Sequence, residues 1–531
     1  MITNRRMIVR WMVCFMATLI GEPLSGFADE KPAASPANSS ADSIADFLSQ
    51  PRFKHAHWGL LFVDQDSGET VYELNPDKLF VPASTTKLFS VACALDTFGP
   101  DHRFETRLYR RGAIQDGELI GNLILVASGD LTFGGRTTDS GEIAFTNNDH
   151  TYANGSTDGE LTAPDPLAGL NELARQVAAG GIKRLRGDVL IDDRLFDKAE
   201  ATGSGPSRLT PIMVNDNLID FTIEPTEPGQ SAKVTWRPQS ARWSVDITTE
   251  TVAKAGTLET TIRETSPGRL QITGKIPVGH KPVVRVFEAP DAAACARGLL
   301  LDALERAGVE VVPPPAVGNP PPLTLPPHDG YGDLSVVAKF VSPPFAEHAR
   351  LILKVSHNLH ASTLPLLVAA KHGQRTLADG LHRQHDFLAK AGVDVETISF
   401  GGGAGGARAD FVTPRAAVQL LRHMATRPDF AAYERALPSL GVDGTLAKAV
   451  SPESPARDKA HAKTGTFYTD NVMNKSLLLT SKAMAGYLTT AKGHKLAFAM
   501  YVNNVHLRDG LDTKSLGRDL GRVCELAHER F

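Results

Sequence analysis

Apolar residues recur two apart in some stretches of this chain and three or four apart in others, which divides it into blocks of different texture. Ile44, Phe47 and Leu48 open a short helical pattern, and residues 58–63 follow as a strand. Asp66-Ser67-Gly68 reads as a turn, so residues 69–74 return as the second arm of a hairpin. Beyond Pro82, the residues Leu88, Val91 and Leu95 fall at helical spacing. Ser84 therefore stands at the start of a helix that directly follows an antiparallel hairpin.

Residues 106–334 are dominated by short alternating runs, at 119–126, 189–192, 217–223, 233–236, 245–248, 258–262 and 269–276. One helix, 166–179, interrupts them and is closed by Gly180-Gly181. The pattern predicts one or two β-rich lobes. Residues 133–162, rich in Gly, Thr, Asn and Asp, read as a long surface insertion, and the prolines at 313–315 and 320–322 as a stiff, extended exit. Helical spacing then returns. Residues 345–355 predict an amphipathic helix ending just before Ser356, residues 377–391 a helix stopped by Gly392, and residues 401–406 a glycine-rich loop. Residues 484–490 and 496–503 pair as a hairpin across Lys492-Gly493, and Leu516, Leu520, Val523 and Leu526 mark one face of a last helix. Strands from both ends with helices between them predict an α+β domain, residues 43–105 and 335–531, interrupted by the β-rich insertion at 106–334.

Composition narrows the classes. The 531 residues are 42% apolar and 22% charged, enough to bury a core. With 56 basic and 60 acidic side chains the net charge is −4, which argues against a nucleic-acid binder with a broad basic face. Arg5, Arg6 and Arg10 precede an apolar run at 11–20 that is too short to span a bilayer. Gly26 and Ala28 are small residues at −3 and −1 of a cut before Asp29. Residues 1–28 are thus expected to be a signal peptide and 29–42 a disordered leader, giving an exported protein without a transmembrane anchor. Its remaining cysteines, Cys93, Cys295 and Cys524, sit among small or apolar neighbours and read as buried, inert thiols. No C-x-x-C pair marks a zinc site, and His382 and His385 read as solvated helix residues.

The candidate chemistry lies in three short sequences in fixed order: Ser84-Thr85-Thr86-Lys87, Ser356-His357-Asn358 and Lys463-Thr464-Gly465. Residues i and i+3 share a helix face, so the Lys87 amine can reach the Ser84 hydroxyl. A serine becomes nucleophilic when a base takes its proton, and a lysine is such a base once burial and a second cation lower its pKa. Lys463 is the candidate second cation. The Ser84 N–H, at a helix start, is free to stabilise an oxyanion. Ser356 is placed to relay a proton and Asn358 to fix Lys87 or the substrate, while Lys463 and Thr464 would hold a carboxylate. No G-x-S-x-G occurs, which speaks against an α/β-hydrolase.

This set resembles the D-alanyl-D-alanine carboxypeptidase/endopeptidases of the low-molecular-mass class C penicillin-binding proteins, over residues 45–505. Gly129-Asp130-Leu131-Thr132, Gly187-Asp188-Val189, Val214-Asn215-Asp216-Asn217, Ser342-Pro343-Pro344 and Gly441-Val442-Asp443-Gly444-Thr445-Leu446 are similar to family segments. So is the gap of 272 positions between Ser84 and Ser356, too large for a class A β-lactamase. The resemblance implies a penicillin-binding transpeptidase-like fold and serine acyl transfer on peptidoglycan stem peptides and cross-links. Ser84 would be the nucleophile and Lys87 the base. Ser356 and Asn358 would assist, and Lys463, Thr464, Gly465 and Thr466 would bind substrate, the Thr466 N–H completing the oxyanion hole. β-Lactams would acylate Ser84, and no metal or organic cofactor is required. The implied location is the periplasm of a Gram-negative cell, or otherwise the cell wall. The alternatives are a β-lactamase or D-amino-acid esterase on the same fold, or a silent peptidoglycan-binding protein. His357 stands where the family often has Asp and is expected to make activity pH-sensitive near neutrality.

Overall fold

Strands from the two ends of the chain interleave in one antiparallel sheet. Its order is Ala460–Asn471, Ser476–Thr489, Lys495–Asn503, His57–Asp64 and Thr70–Leu74, with Val505–Leu507 paired to the start of the second strand. This computed structural model describes residues 43–313, 318–320, 325–328, 330–508 and 510–531. The expected signal peptide and leader, and much of the proline-rich exit, lie outside the described residues.

Period-two alternation sets what each face of the sheet touches. Ala483, Ala485 and Tyr487 join the main core on one side together with Ala497, Ala499 and Tyr501. Met484, on the opposite face, meets Cys524 of the helix Thr513–Arg530 at 3.6 Å. The alanines matter because a sheet face of small side chains lets a helix come close. The helix that does so is Pro414–Ala425, which lies against Lys495–Asn503, His57–Asp64 and Ser476–Thr489, while Thr86–Phe98 is buried from Thr86 through Leu95 and packs against Phe345–Lys354, Asn358–Lys371 and Leu377–Lys390. An apolar helix buried all round belongs at the centre of a domain.

The chain leaves this host along Glu105–Gln115 and returns along Ser335–Val341, and the two strands pair antiparallel from Glu105↔Val341. They belong to a six-stranded mixed sheet with Glu118–Val126, Arg184–Arg186, Val189–Asp192 and Glu310–Val312. Two further three-stranded sheets, one built on Leu218–Glu224 and one on Arg269–Pro277, and a two-stranded one, Ala199–Glu200 with Arg208–Leu209, also belong to the β-rich region. Among the described residues, two α-helices rather than one lie in it. Ala292–Arg306 joins Ala168–Ala179 over a shared core.

Two expectations need correction. Residues 133–162 are not a surface insertion, because Arg136, Ile143, Asp149, His150, Thr151 and Ala153 are all buried. Ile143 packs on Leu351 and Val355, and its N–H donates to Glu347, so this stretch dips against the segment that leads into Ser356. Ser356, expected just past the end of a helix, does not lead into a loop. It separates two helices, the second of which, Asn358–Lys371, runs through Pro365.

Candidate active site

The three motifs converge. Thr86–Phe98 is entered through a tight turn, Ala83–Thr85, in which Ala83 takes a left-handed φ of 47°. This turn lifts Ser84 to a half-buried position, while Lys87, one turn on, is fully buried. The Lys87 Nζ lies 2.9 Å from Ser84 Oγ, 2.7 Å from Asn358 Oδ1 and 2.7 Å from the Ala404 carbonyl oxygen. Burial first, and then the neighbouring Lys463 ammonium, hold the Lys87 amine well below its usual range, with Asp410 pulling weakly the other way. A neutral amine against a serine hydroxyl is a base in contact with a nucleophile.

Ser356 and Asn358 flank a sharp corner. Ser356 adopts a φ of 65°, which a non-glycine residue keeps only when its surroundings enforce it. Tyr152, from the turn His150–Gly155, supplies part of that enforcement. Its hydroxyl donates to the Ser356 carbonyl at 2.5 Å and accepts the Asn358 N–H at 3.2 Å. The Asn358 side chain donates to the Ser204 carbonyl at 2.9 Å, which fixes its Oδ1 toward Lys87.

On the edge strand Ala460–Asn471, Lys463 is fully buried and donates to Ser356 Oγ at 2.9 Å and to the Thr464 carbonyl at 2.7 Å. Burial, and then the Lys482 ammonium, push the Lys463 amine down to about 7. Its nitrogen is thus turned to Ser356 rather than into the open cleft where a substrate carboxylate was expected. The Thr464 hydroxyl donates to Thr445 Oγ1 at 2.7 Å. Gly465 is a glycine for a steric reason, since a Cβ there would stand 2.6 Å from the Pro82 carbonyl oxygen, just ahead of Ser84. Thr466 is exposed beside it. A cleft of about 390 Å³ opens between these elements, lined by Ser84, Ser356, Asn358, Thr464, Thr466 and Lys482 among others.

The glycine-rich loop at 401–406 forms the floor under Lys87. The Ala404 carbonyl accepts from Lys87, and the Gly403 carbonyl accepts from Ser90 Oγ at 2.8 Å. Gly405 has a φ of 88°, and a Cβ on it would come within 1.8 Å of the Ala83 carbonyl oxygen. Asp410 holds the loop closed by accepting the N–H groups of Gly401 and Ala407, both at 2.8 Å.

His357 does not line the cleft. It is fully buried, its Nδ1 accepts the His360 N–H at 3.3 Å as a helix cap, and its Nε2 lies 3.4 Å from Asp216 Oδ1. It borders a buried ionic network. Arg136 pairs with Asp149 at 2.7 Å and Asp216 at 2.8 Å, and Arg237 with Asp220 at 3.1 Å. His150 donates from Nδ1 to Asp220 at 2.6 Å and from Nε2 to Asp216 at 2.9 Å. Burial pulls the His150 imidazole down, but the Asp220 and Asp216 carboxylates outweigh it and raise it to about 10. Asp216, His357 and His360 lie close enough to ligate one metal ion. Their donor chemistry favours the network instead. His357 Nδ1 is already an acceptor, which leaves the proton on Nε2, and Arg136 holds the second Asp216 oxygen.

The three motifs thus meet at this cleft, with Ser84, Ser356, Asn358, Thr464 and Thr466 on its wall, Lys87 and Lys463 buried behind it, and His357 turned away from it. Four neighbours escaped the sequence reading: Tyr152, Ser204, Asp410 and Lys482. None carries a motif. Only Lys482 left a partial signal, since extending the 484–490 strand backwards brings it into the sheet, although its place across from Thr466 comes from the separate pairing with Ala460–Asn471.

A family model described as the D-Ala-D-Ala carboxypeptidase 3 (S13) family matches residues 40–520. Among curated proteins, a D-alanyl-D-alanine carboxypeptidase of Actinomadura sp. (strain R39) is 28% identical over 494 residues, 88% of this chain and 81% of that one. The D-alanyl-D-alanine carboxypeptidase DacB of Haemophilus influenzae is 24% identical over 487 residues, 88% of this chain and 89% of its own. Among solved structures, penicillin binding protein 4 of Haemophilus influenzae superposes with a TM-score of 0.65 at 21% identity, covering 90% of this chain and 98% of that one. A second structure of that protein holds a β-lactam, with a TM-score of 0.64 at 22% identity and the same coverage.

Proposed function

Because this chain belongs to the D-Ala-D-Ala carboxypeptidase 3 (S13) family of serine peptidases, we propose that Ser84 is its nucleophile and Lys87 the base that activates it. The observation that carries this reading is the fully buried Lys87 amine 2.9 Å from Ser84 Oγ, its pKa held well below the usual lysine range by burial and by Lys463.

In the first step Ser84 Oγ attacks the carbonyl carbon of the penultimate D-alanine of a stem peptide, and its proton passes to Lys87 Nζ. Charge on the carbonyl oxygen meets the N–H groups of Ser84 and Thr466. The C–N bond then breaks, and the proton held by Lys87 passes through Ser356, whose hydroxyl Lys463 supports at 2.9 Å, to the leaving amine, which returns Lys87 to its neutral form. Water, deprotonated by Lys87, next attacks the ester carbon and releases Ser84 as its hydroxyl. Asn358 keeps the Lys87 amine aimed at Ser84, and the hydroxyls of Thr464 and Thr466 bind the substrate edge. The same site accepts the D-alanyl bond of a cross-link, and β-lactams acylate it, as the inhibitor complex of the Haemophilus influenzae protein suggests. The basic and apolar run at 1–28 supports export to the compartment that holds peptidoglycan, the periplasm in a two-membrane envelope. Among the described residues, no helix is long and apolar enough to cross a membrane.

The test is intact mass after incubation with benzylpenicillin. Wild type is expected to gain the mass of one penicillin and Ser84→Ala none, while wild type alone releases D-alanine from an acyl-D-alanyl-D-alanine peptide. An adduct that persists in Ser84→Ala would place the nucleophile elsewhere.

A further inference from the structure

One lysine in the cleft is not used by the chemistry above. Lys482 lies on the strand Ser476–Thr489, directly across from Thr466 on the neighbouring Ala460–Asn471 strand. Its Nζ donates to Thr466 Oγ1 at 2.8 Å, and its side chain lines the same cleft as Ser84, Thr464 and Thr466. Its stem packs over Gly517 of the C-terminal helix, where a Cβ would stand in ordinary contact, 3.5 Å from Lys482 Cε. Among the described residues its ammonium pairs with no carboxylate.

The charges lining the cleft around it are mostly basic, with Asp512 the acidic group that faces it from the start of the C-terminal helix. Lys448 and Lys514 also line the cleft, and its acidic liner, Asp149, is already neutralised by Arg136. Lys463, by contrast, is fully buried, absent from the cleft wall, and committed to Ser356 Oγ and the Thr464 carbonyl. The cation presented to substrate on this side of the nucleophile is therefore Lys482.

We propose that Lys482, with the hydroxyls of Thr464 and Thr466, is the specificity-determining residue that receives the α-carboxylate of the leaving D-residue. This rests on the peptidase reading above and moves the carboxylate contact from Lys463 to a strand one place further into the sheet. An ammonium hydrogen-bonded to a threonine hydroxyl, partly desolvated and without a counter-ion, gains its missing partner when a carboxylate enters. Lys463 remains with Ser356 in proton transfer. The two lysines so divide tasks that one lysine was expected to perform. Burial brings the Lys482 amine down to about 8 against the opposing pull of Asp512, so it still carries charge at neutral pH. The groups facing it are Lys463 on the adjacent strand and Asp512 at the start of the C-terminal helix.

The experiment compares two substrates, an acyl-D-alanyl-D-alanine peptide and the same peptide with a C-terminal amide, each assayed by the amine product released. For wild type, kcat/KM is expected to favour the carboxylate form. In Lys482→Met that preference falls by about 10- to 100-fold, the size of one charge-assisted contact, and the change lies mainly in KM. Lys482→Arg, which keeps the charge, stays within about threefold of wild type on the same preference. Thermal melting of both variants separates misfolding from lost recognition. A preference unchanged in Lys482→Met, or lost as fully in a folded Lys482→Arg as in Lys482→Met, overturns the assignment. Wild type that releases no D-alanine from the carboxylate peptide overturns the peptidase reading itself, a distinct result.

Discussion

A protonated lysine cannot take the proton of a serine, so with Lys87 as the proposed base its charge sets the acid side of the activity profile. Burial is the larger cause of its depressed pKa, and the Lys463 ammonium is the next. Replacing Lys463 by methionine removes that neighbouring cation. Lys87 then binds a proton more readily, and the pH below which penicillin acylation fails moves upward. Rates of acylation measured across pH in wild type and Lys463→Met check this, and a limb that stays put or moves to lower pH refutes the electrostatic account. The position of the limb is the diagnostic readout, because loss of Lys463 also slows the reaction through Ser356. At this scale the sequence was most legible where spacing alone brings groups together. Ser84 and Lys87 are three apart on a helix, so their contact follows from helical geometry. Asp410 was illegible, because its carboxylate matters only once the chain at 401–407 has curled around it.

Between residue and molecule lie the short elements that hold the motifs in place. The turn His150–Gly155 is one, since its Tyr152 hydroxyl spans the carbonyl of Ser356 and the N–H of Asn358 at the corner where Ser356 takes its left-handed φ. Tyr152→Phe keeps the ring and deletes that bridge, leaving a buried carbonyl and amide short of a partner at about 1–3 kcal/mol. We expect kcat for D-alanine release to fall about tenfold while the melting transition moves by only a few degrees. Unchanged kcat would show that the corner holds itself. Composition concealed this element: a stretch full of Gly, Asn, Asp and Thr looks like exposed loop, whereas here Asp149, His150 and Thr151 are buried because each finds a charged or hydrogen-bonding partner. The helix Ala292–Arg306 was hidden for a related reason. Its buried face carries Arg297 and Asp302 and begins with three alanines, which breaks the apolar stripe that reveals other helices. Asn358–Lys371 was obscured by the opposite pattern, apolar on every side with a proline inside it.

Across the whole molecule, the buried ions tie inserted segments to the catalytic host. Arg136 and Asp149 come from 133–162, Asp216 from the turn leading into Leu218–Glu224, Asp220 from that strand itself, and His360 from the helix that carries Asn358. Arg136→Met strands two buried carboxylates, and breaking such a pair costs about 3–5 kcal/mol. Denaturant unfolding followed by tryptophan fluorescence is expected to show that loss, and a change below about 1 kcal/mol would mean the network is not a tie between the two parts. The α+β host and its interruption were readable from alternating and helical spacing, because those periods survive whatever the lobes become. Which inserted residue would face which host residue was not readable, since nothing local records it. The interleaved sheet carries a further implication, one of timing. His57–Asp64 hydrogen-bonds to Lys495–Asn503, and Ser84 is completed by residues near 358, 404 and 463. A ribosome making about 5–20 residues per second finishes the nucleophile helix long before the strand that anchors the hairpin preceding it. The growing chain therefore carries its serine unarmed through nearly all of synthesis, and the peptidase comes into being only when its last sheet strand arrives.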